Sequence, residues 1–125
     1  MGKKILIADD EKLIRKLIRA SLETYNDFFE IHEAENGTEA LTKAKNLKPQ
    51  MLILDIMMPG MLGYEVCRCL KNSPDTKDIF VLFLTARGSD ISLKTVQICG
   101  GDDFMTKPFN PKELEQKVLK VMGLP

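Results

Sequence analysis

The sequence has no excess of either charge. Lys and Arg total 18 and Asp and Glu total 18, so 125 residues carry a formal net charge of zero. That removes the electrostatic case for direct nucleic-acid binding or for attraction to an anionic membrane, both of which favour a basic surface. There is also no long hydrophobic run. The apolar stretch after Met1-Gly2-Lys3-Lys4 is too short for a secretory signal or a membrane span, so the expected location is cytoplasmic. Met1-Gly2 matches the start of a myristoylation signal only weakly, because the residues after it enter a strand. Cysteines are few and odd in number. Cys67, Cys69 and Cys99 have no zinc-site spacing and read as reduced thiols, and Cys67 and Cys69 point to different sides of a helix. No repeat, low-complexity tract or internal linker interrupts the chain, so residues 1–125 are expected to form one domain. A domain of this length buries roughly two-thirds of its unfolded surface and needs no disulfide or structural metal to fold.

What is present is an alternation of two hydrophobic periods. Ile5-Leu6-Ile7-Ala8 is a continuous apolar run that ends at Asp9-Asp10. Leu13, Ile14, Leu17, Ile18 and Leu22 then recur at helical spacing. Residues 28–34 predict a second strand, Asn36-Gly37 a turn, and Ala40, Leu41, Ala44 and Leu47 a second helix. Met51 to Leu54 is a third strand ending in Asp55, and Pro59-Gly60 breaks the chain after it. Val66, Cys67 and Leu70 mark a third helix, Ile79 to Leu84 a fourth strand ending in Thr85, and Ser89 to Cys99 a weaker helix. Phe104 to Thr106 is a fifth strand ending in Lys107. Asn110-Pro111-x-Glu113 opens the last helix with an N-cap, a first-turn proline and an acid, and Gly123 closes it. Five β/α units with nearly continuous apolar strands predict an α/β fold: a parallel sheet with helices on both faces.

The polar residues collect at the carboxyl ends of the strands: Asp9 and Asp10, Asp55, Thr85 and Lys107. In an open parallel sheet those ends share one edge, where ligands bind. Carboxylates about 4 Å apart repel by on the order of 4 kcal/mol per pair at an effective dielectric near 20, and a divalent cation relieves this. Oxygen ligands without His or Cys favour Mg²⁺, Mn²⁺ or Ca²⁺. Carboxylates, a hydroxyl and a lysine fit phosphoryl chemistry, in which a carboxylate attacks phosphorus while metal and lysine neutralise the transferring group.

The segments Ile7-Ala8-Asp9-Asp10-Glu11, Leu54-Asp55-Ile56-Met57-Met58-Pro59-Gly60, Leu84-Thr85-Ala86-Arg87 and Gly101-Asp102-Asp103-Phe104-Met105-Thr106-Lys107-Pro108-Phe109 resemble, in order and spacing, the response-regulator receiver domains of two-component signalling. The resemblance spans essentially the whole chain. It implies the flavodoxin-like strand order 2-1-3-4-5, for which a chemotaxis member of the family is a standing example. It implies that Asp55 accepts a phosphoryl group from a sensor histidine kinase or phosphotransfer protein, and that the domain catalyses only its own phosphorylation and dephosphorylation. Asp10, Asp55 and the main-chain carbonyl of Met57 would bind Mg²⁺, with Asp9 helping directly or through water. Lys107 would pair with a phosphoryl oxygen from a cis Lys107–Pro108 peptide. Thr85 would turn inward to the phosphoryl group and Phe104 would follow it.

Two positions depart from the family pattern. Leu62 stands where many relatives have Asp, and Gly101 replaces a common Ala, which predicts a looser turn into the fifth strand. Arg87 and Met57 lie where the family tunes the phosphoryl lifetime. Leu93 and Val96 suit an inward face of the fourth helix, and Ile91 and Ile98 form a second apolar stripe. With the fifth strand and fifth helix, that stripe is the expected surface for an output partner or a second copy. His32, the single histidine, reads as a surface residue and not as a phosphorelay histidine. Asp102 and Asp103 read as solvated turn residues, and Met57 and Met58 as loop packing. Three other readings fit poorly. The intact set of Asp9, Asp10, Asp55, Thr85 and Lys107 argues against a receiver-like interaction module that is never phosphorylated. A haloacid-dehalogenase-type hydrolase needs a second Asp where Met57 stands, and a flavin site needs a glycine- and hydroxyl-rich loop where Asp9-Asp10 stand.

Overall fold

A computed structural model describes residues 3–86 and 93–124, with only the backbone described at Leu93. The chain alternates strand and helix: β1 (Lys3–Ala8), α1 (Lys12–Ser21), β2 (Phe29–Ala34), α2 (Gly37–Leu47), β3 (Met51–Asp55), α3 (Gly63–Lys71), β4 (Phe80–Ala86), α4 (Leu93–Ile98), β5 (Asp103–Lys107) and α5 (Pro111–Met122). A short 3₁₀ turn, Glu23–Tyr25, follows α1. All strand pairs are parallel, in the order β2-β1-β3-β4-β5. The alternating periods predict a parallel sheet covered by helices, and the order is the flavodoxin-like one that the receiver resemblance implies. Arg87, Ser89 and Ile91, on which some of the expectations rest, lie outside the described residues.

The continuous apolar strands are buried on both sides because the pleat sends successive side chains to opposite faces. Leu6, Ala8, Leu52, Leu54, Val81 and Phe83 pack with Ala40, Ala44, Val66, Cys67, Leu70 and Val96 from α2, α3 and α4. Ile5, Ile7, Met51, Ile53, Leu82, Leu84 and Met105 pack with Ile18, Leu22, Leu114, Val118 and Met122 from α1, α5 and the turn between α1 and β2. Cys67 lies in the first core, where burial pushes its thiol up to about 12, while Cys69 is exposed, as their spacing predicts.

One helix end and one helix face differ from the sequence expectation. Asn36-Gly37 is the start of α2 rather than a free turn. The Asn36 side chain accepts from the Glu39 N–H at 2.8 Å, and Glu39 reaches back to the Glu35 N–H at 2.9 Å. In α1, Leu13 and Leu17 are 66% and 47% exposed while Arg15 is buried, so the inward stripe is Ile14, Arg15, Ile18 and Leu22. The α5 signals hold as expected. The Asn110 side chain accepts from the Lys112 and Glu113 N–H groups, and Gly123 closes the helix in the left-handed conformation. Lys3 at the start of β1 donates to the Met122 carbonyl at the end of α5.

The corner between α3, α4 and β5 is tight. Asp102 accepts from the Val81 N–H at 2.8 Å and from Lys71 Nζ at 3.0 Å, and Asp103 pairs with Lys117 at 2.6 Å. Neither acid is merely solvated. Gly101 does not loosen the turn either. A methyl group there would lie 2.5 Å from a Phe83 ring carbon and 2.8 Å from a Val96 methyl. The Phe83 ring takes up the volume an alanine would need, and Tyr64 meets that ring edge-on at 5.5 Å. Gly101→Ala is expected to lower unfolding free energy by about 1–3 kcal/mol, through overpacking, in a urea melt.

Candidate functional site

The sheet's carboxyl edge collects the site, and pleat parity sorts it. Asp9, Asp55 and Lys107 each stand two residues after a side chain of the α1/α5 core, namely Ile7, Ile53 and Met105. All three therefore belong to one face. Thr85 stands two after Phe83, and Phe104 pairs with Phe83 in register, so both belong to the opposite face. Thr85 is buried, and Phe104 is partly buried against the α2/α3/α4 core.

Lys107 Nζ is the charge at the centre. It lies 2.8 Å from Asp9 Oδ2, 3.4 Å from Asp55 Oδ2 and 3.7 Å from Glu11 Oε1. The Lys107–Pro108 peptide is cis, as the resemblance implied. Asp9 is fully buried and Asp55 nearly so, while Asp10 is exposed. Asp9 Oδ1 accepts from the Glu11 N–H at 2.9 Å. Among the described residues, Asp9 Oδ2 is buried with no aligned hydrogen-bond donor, although the Lys107 charge is at ion-pair distance. Burial and the neighbouring Asp9 charge push Asp55 up to about 6, against the pull of Lys107 and of a hydrogen bond from the Met57 N–H. Burial alone would lower Lys107, but Asp9 and Asp55 outweigh it and hold the ammonium above its usual range.

One oxygen from each of Asp9, Asp10 and Asp55 lies within 4.8 Å of the others. An all-oxygen donor set at that spacing, with one buried carboxylate oxygen lacking an aligned donor, fits a hard divalent cation. The loop after β3 borders it. Met57 is exposed by 70%, so its side chain does not pack, whereas Met58 is buried. The loop closes on two glycines. A Cβ at Gly63 would lie 2.5 Å from the Asp55 carbonyl, and one at Gly37 2.0 Å from the Met61 carbonyl. Leu62 occupies the N-cap of α3 and offers no acceptor, leaving only the Glu65 carboxylate reaching back to the Leu62 N–H at 3.1 Å.

The sequence reading missed Arg15, Glu33 and Glu11. Arg15 Nη1 donates to the Asp9 carbonyl at 2.6 Å, and Arg15 Nε to Glu33 at 2.7 Å. A charged residue one helical step from Ile14, opposite acids near the end of β2, was the available signal. His32 is partly exposed and pairs with Glu30 at 2.9 Å.

A family model described as the response regulator receiver domain matches residues 5–119. The chain belongs to this family. It is 41% identical over 121 residues to the transcriptional regulatory protein ResD of Bacillus subtilis, covering 97% of this chain and 47% of that protein. It is 41% identical over 123 residues to the phosphate regulon transcriptional regulatory protein PhoB of Pseudomonas aeruginosa, covering 98% of this chain and 52% of that protein. The receiver domain thus spans about half the length of these curated relatives. Among solved structures, the receiver domain of AraT, a response regulator from Geobacillus stearothermophilus, matches with TM-score 0.86 at 31% identity, covering 98% of this chain and 95% of that one. The chemotaxis response regulator CheY4 of Vibrio cholerae matches with TM-score 0.84 at 29% identity, covering 97% and 99%. Receiver domains are signalling modules of two-component systems that bind Mg²⁺ at their acidic pocket and interact with histidine kinases or phosphotransfer proteins. Among the described residues, no helix is long and apolar enough to cross a membrane.

The raised Asp55 has a consequence for stability. Its unfolded carboxyl ionises near 3.8 and its folded one near 6, so the unfolded chain releases its proton first. Stability from this group is highest below 3.8, falls as pH rises towards about 6, and is then level. In metal-free buffer, Asp55→Asn is expected to be more stable than wild type at about pH 8, by on the order of 2 kcal/mol, with the gap closing by about pH 4. Urea melts across that range check it.

Proposed function

We propose that residues 1–125 act as one phosphorylation switch in which Asp55 accepts a phosphoryl group from a phosphohistidine of a sensor kinase or phosphotransfer protein. The observation that supports this best is the Lys107 ammonium held between two buried carboxylates, 2.8 Å from Asp9 and 3.4 Å from Asp55. An Asp55 oxygen attacks phosphorus, an O–P bond forms and the P–N bond breaks, with its electron pair returning to the imidazole. Asp55 must be ionised to attack. Lys107 then has a phosphoryl oxygen to pair with in place of the Asp55 oxygen. Asp10, Asp55 and the Met57 carbonyl would hold Mg²⁺, with Asp9 acting directly or through water, and the ion supplies neutralising charge for the transferring group. The domain would turn over only its own phosphoryl group.

Thr85 hydrogen-bonds the bound phosphoryl group in this reading, and Phe104, on the same face of the sheet, moves inward with it. The face built from α4, β5 and α5 then changes and controls an output domain or partner, or a second copy of the chain. Ile98, 73% exposed on α4, is its described apolar residue, and Ile91 completes the proposed stripe. Amide exchange in residues 93–99 and at 104 is expected to change on phosphorylation, and unchanged exchange would remove this part of the proposal.

Incubation with acetyl phosphate and Mg²⁺, followed by intact mass measurement, tests the acceptor. One added phosphoryl group is expected, absent with EDTA and absent in Asp55→Asn. Labelling that persists in Asp55→Asn would sink the assignment.

A further inference from the structure

Asp9 follows the last residue of β1, and its N–H still extends the ladder, donating to the Ala34 carbonyl at 3.1 Å. Its carbonyl receives Arg15 Nη1 at 2.6 Å from one turn into α1. Arg15 is itself buried, 6% exposed, and its guanidinium is held from the far side by Glu33, at 2.7 Å from Nε, and by Glu35, at 3.6 Å from Nη2. Arg19 binds the other oxygen of Glu33, and Lys43 donates to the Glu33 carbonyl. The Glu33 carboxyl lies below its usual range: burial pushes it up, but Arg19 and Arg15 outweigh that.

A peptide unit is planar, so fixing the Asp9 carbonyl fixes the plane that also contains the Asp10 Cα. That plane fixes the point from which the Asp10 side chain reaches its carboxylate towards those of Asp9 and Asp55. We infer that Arg15, held by Glu33, is a positioning residue for the cation seat: it clamps the Asp9–Asp10 peptide so that both carboxylates face one ion. This rests on the Mg²⁺ reading above. The guanidinium suits the task because its donors leave in fixed directions, one to the carbonyl and one to the carboxylate, which an ammonium cannot reproduce. Partners that orient metal ligands typically change metal affinity by roughly 10–100-fold when removed.

The test is a MgCl₂ titration of the unphosphorylated protein, read by the amide shifts of residues 9–11 and 55–57, with a thermal melt of each variant. Arg15→Met is expected to weaken Mg²⁺ binding about tenfold. Arg15→Lys keeps the charge and one donor and should fall between Arg15→Met and wild type. Glu33→Gln should weaken binding a few-fold by freeing the guanidinium. Arg19→Met is the control. It shares Glu33 but donates to the Ile31 carbonyl instead of Asp9, so it should lower the melting temperature and leave Mg²⁺ affinity unchanged. Equal effects of Arg15→Met and Arg19→Met on affinity, or no effect of Arg15→Met, would overturn the clamp. If Arg15→Met does not fold, unchanged affinity in both Arg15→Lys and Glu33→Gln overturns it instead. A wild-type protein that shows no Mg²⁺-dependent shifts would remove the metal reading itself and the clamp with it.

Discussion

Two buried carboxylates cannot sit this close together without positive charge to offset them, and the upper edge of the sheet is organised by that constraint. Asp9 has no access to water, and Asp55 has almost none. Lys107 lies at ion-pair distance from both, yet among the described residues Asp9 Oδ2 still lacks an aligned donor, and burial beside Asp9 keeps Asp55 pushed up to about 6. Among the described residues, one ammonium is set against three acids. The deficit makes the site receptive to a divalent ion and, with that ion, to a group that carries negative charge of its own. A site balanced in isolation would have no reason to respond to either.

The surrounding fold keeps that imbalance from relaxing. Water cannot enter from below, because both faces of the sheet are covered by packed cores. The chain cannot withdraw Asp55, because the loop after it is drawn back at two glycines, with the Gly63 N–H bonding the Ile56 carbonyl at 2.8 Å and the Gly37 N–H bonding the Pro59 carbonyl at 3.1 Å. Arg15 and Glu33 anchor the other acidic segment to β2. Strain of electrostatic origin is held by rigid covalent and packing geometry, which is how a small module can store a response to a single added charge.

Much of this was readable in the residues themselves. Helical spacing and short continuous apolar runs placed the five strands and five α-helices, and strand-end placement brought Asp9, Asp10, Asp55, Thr85 and Lys107 to one edge. What could not be read depends on relations between distant segments. The hydrophobic pattern of α1 treats Leu13 and Leu17 as core because periodicity cannot tell which of two adjacent stripes faces the sheet. Arg15 wins a buried place through Glu33, eighteen residues away, which no local rule sees. Gly101 looked like a softened turn, although its lack of a side chain is matched to the bulk of Phe83 on the neighbouring strand. Asp102 and Asp103 looked like solvent-facing acids for the same reason: their partners Val81, Lys71 and Lys117 come from other elements.

The bond from Lys3 to the Met122 carbonyl ties the end of the last helix to the first strand. β1 is paired on both sides, with β2 and with β3. A force applied at the end of α5 is thus carried into an interior strand, loading its two ladders along their length. Parallel ladders loaded in that direction resist as a set, not one bond after another. The last turn of α5 is thereby coupled to the interior of the sheet and not only to the helix it packs against.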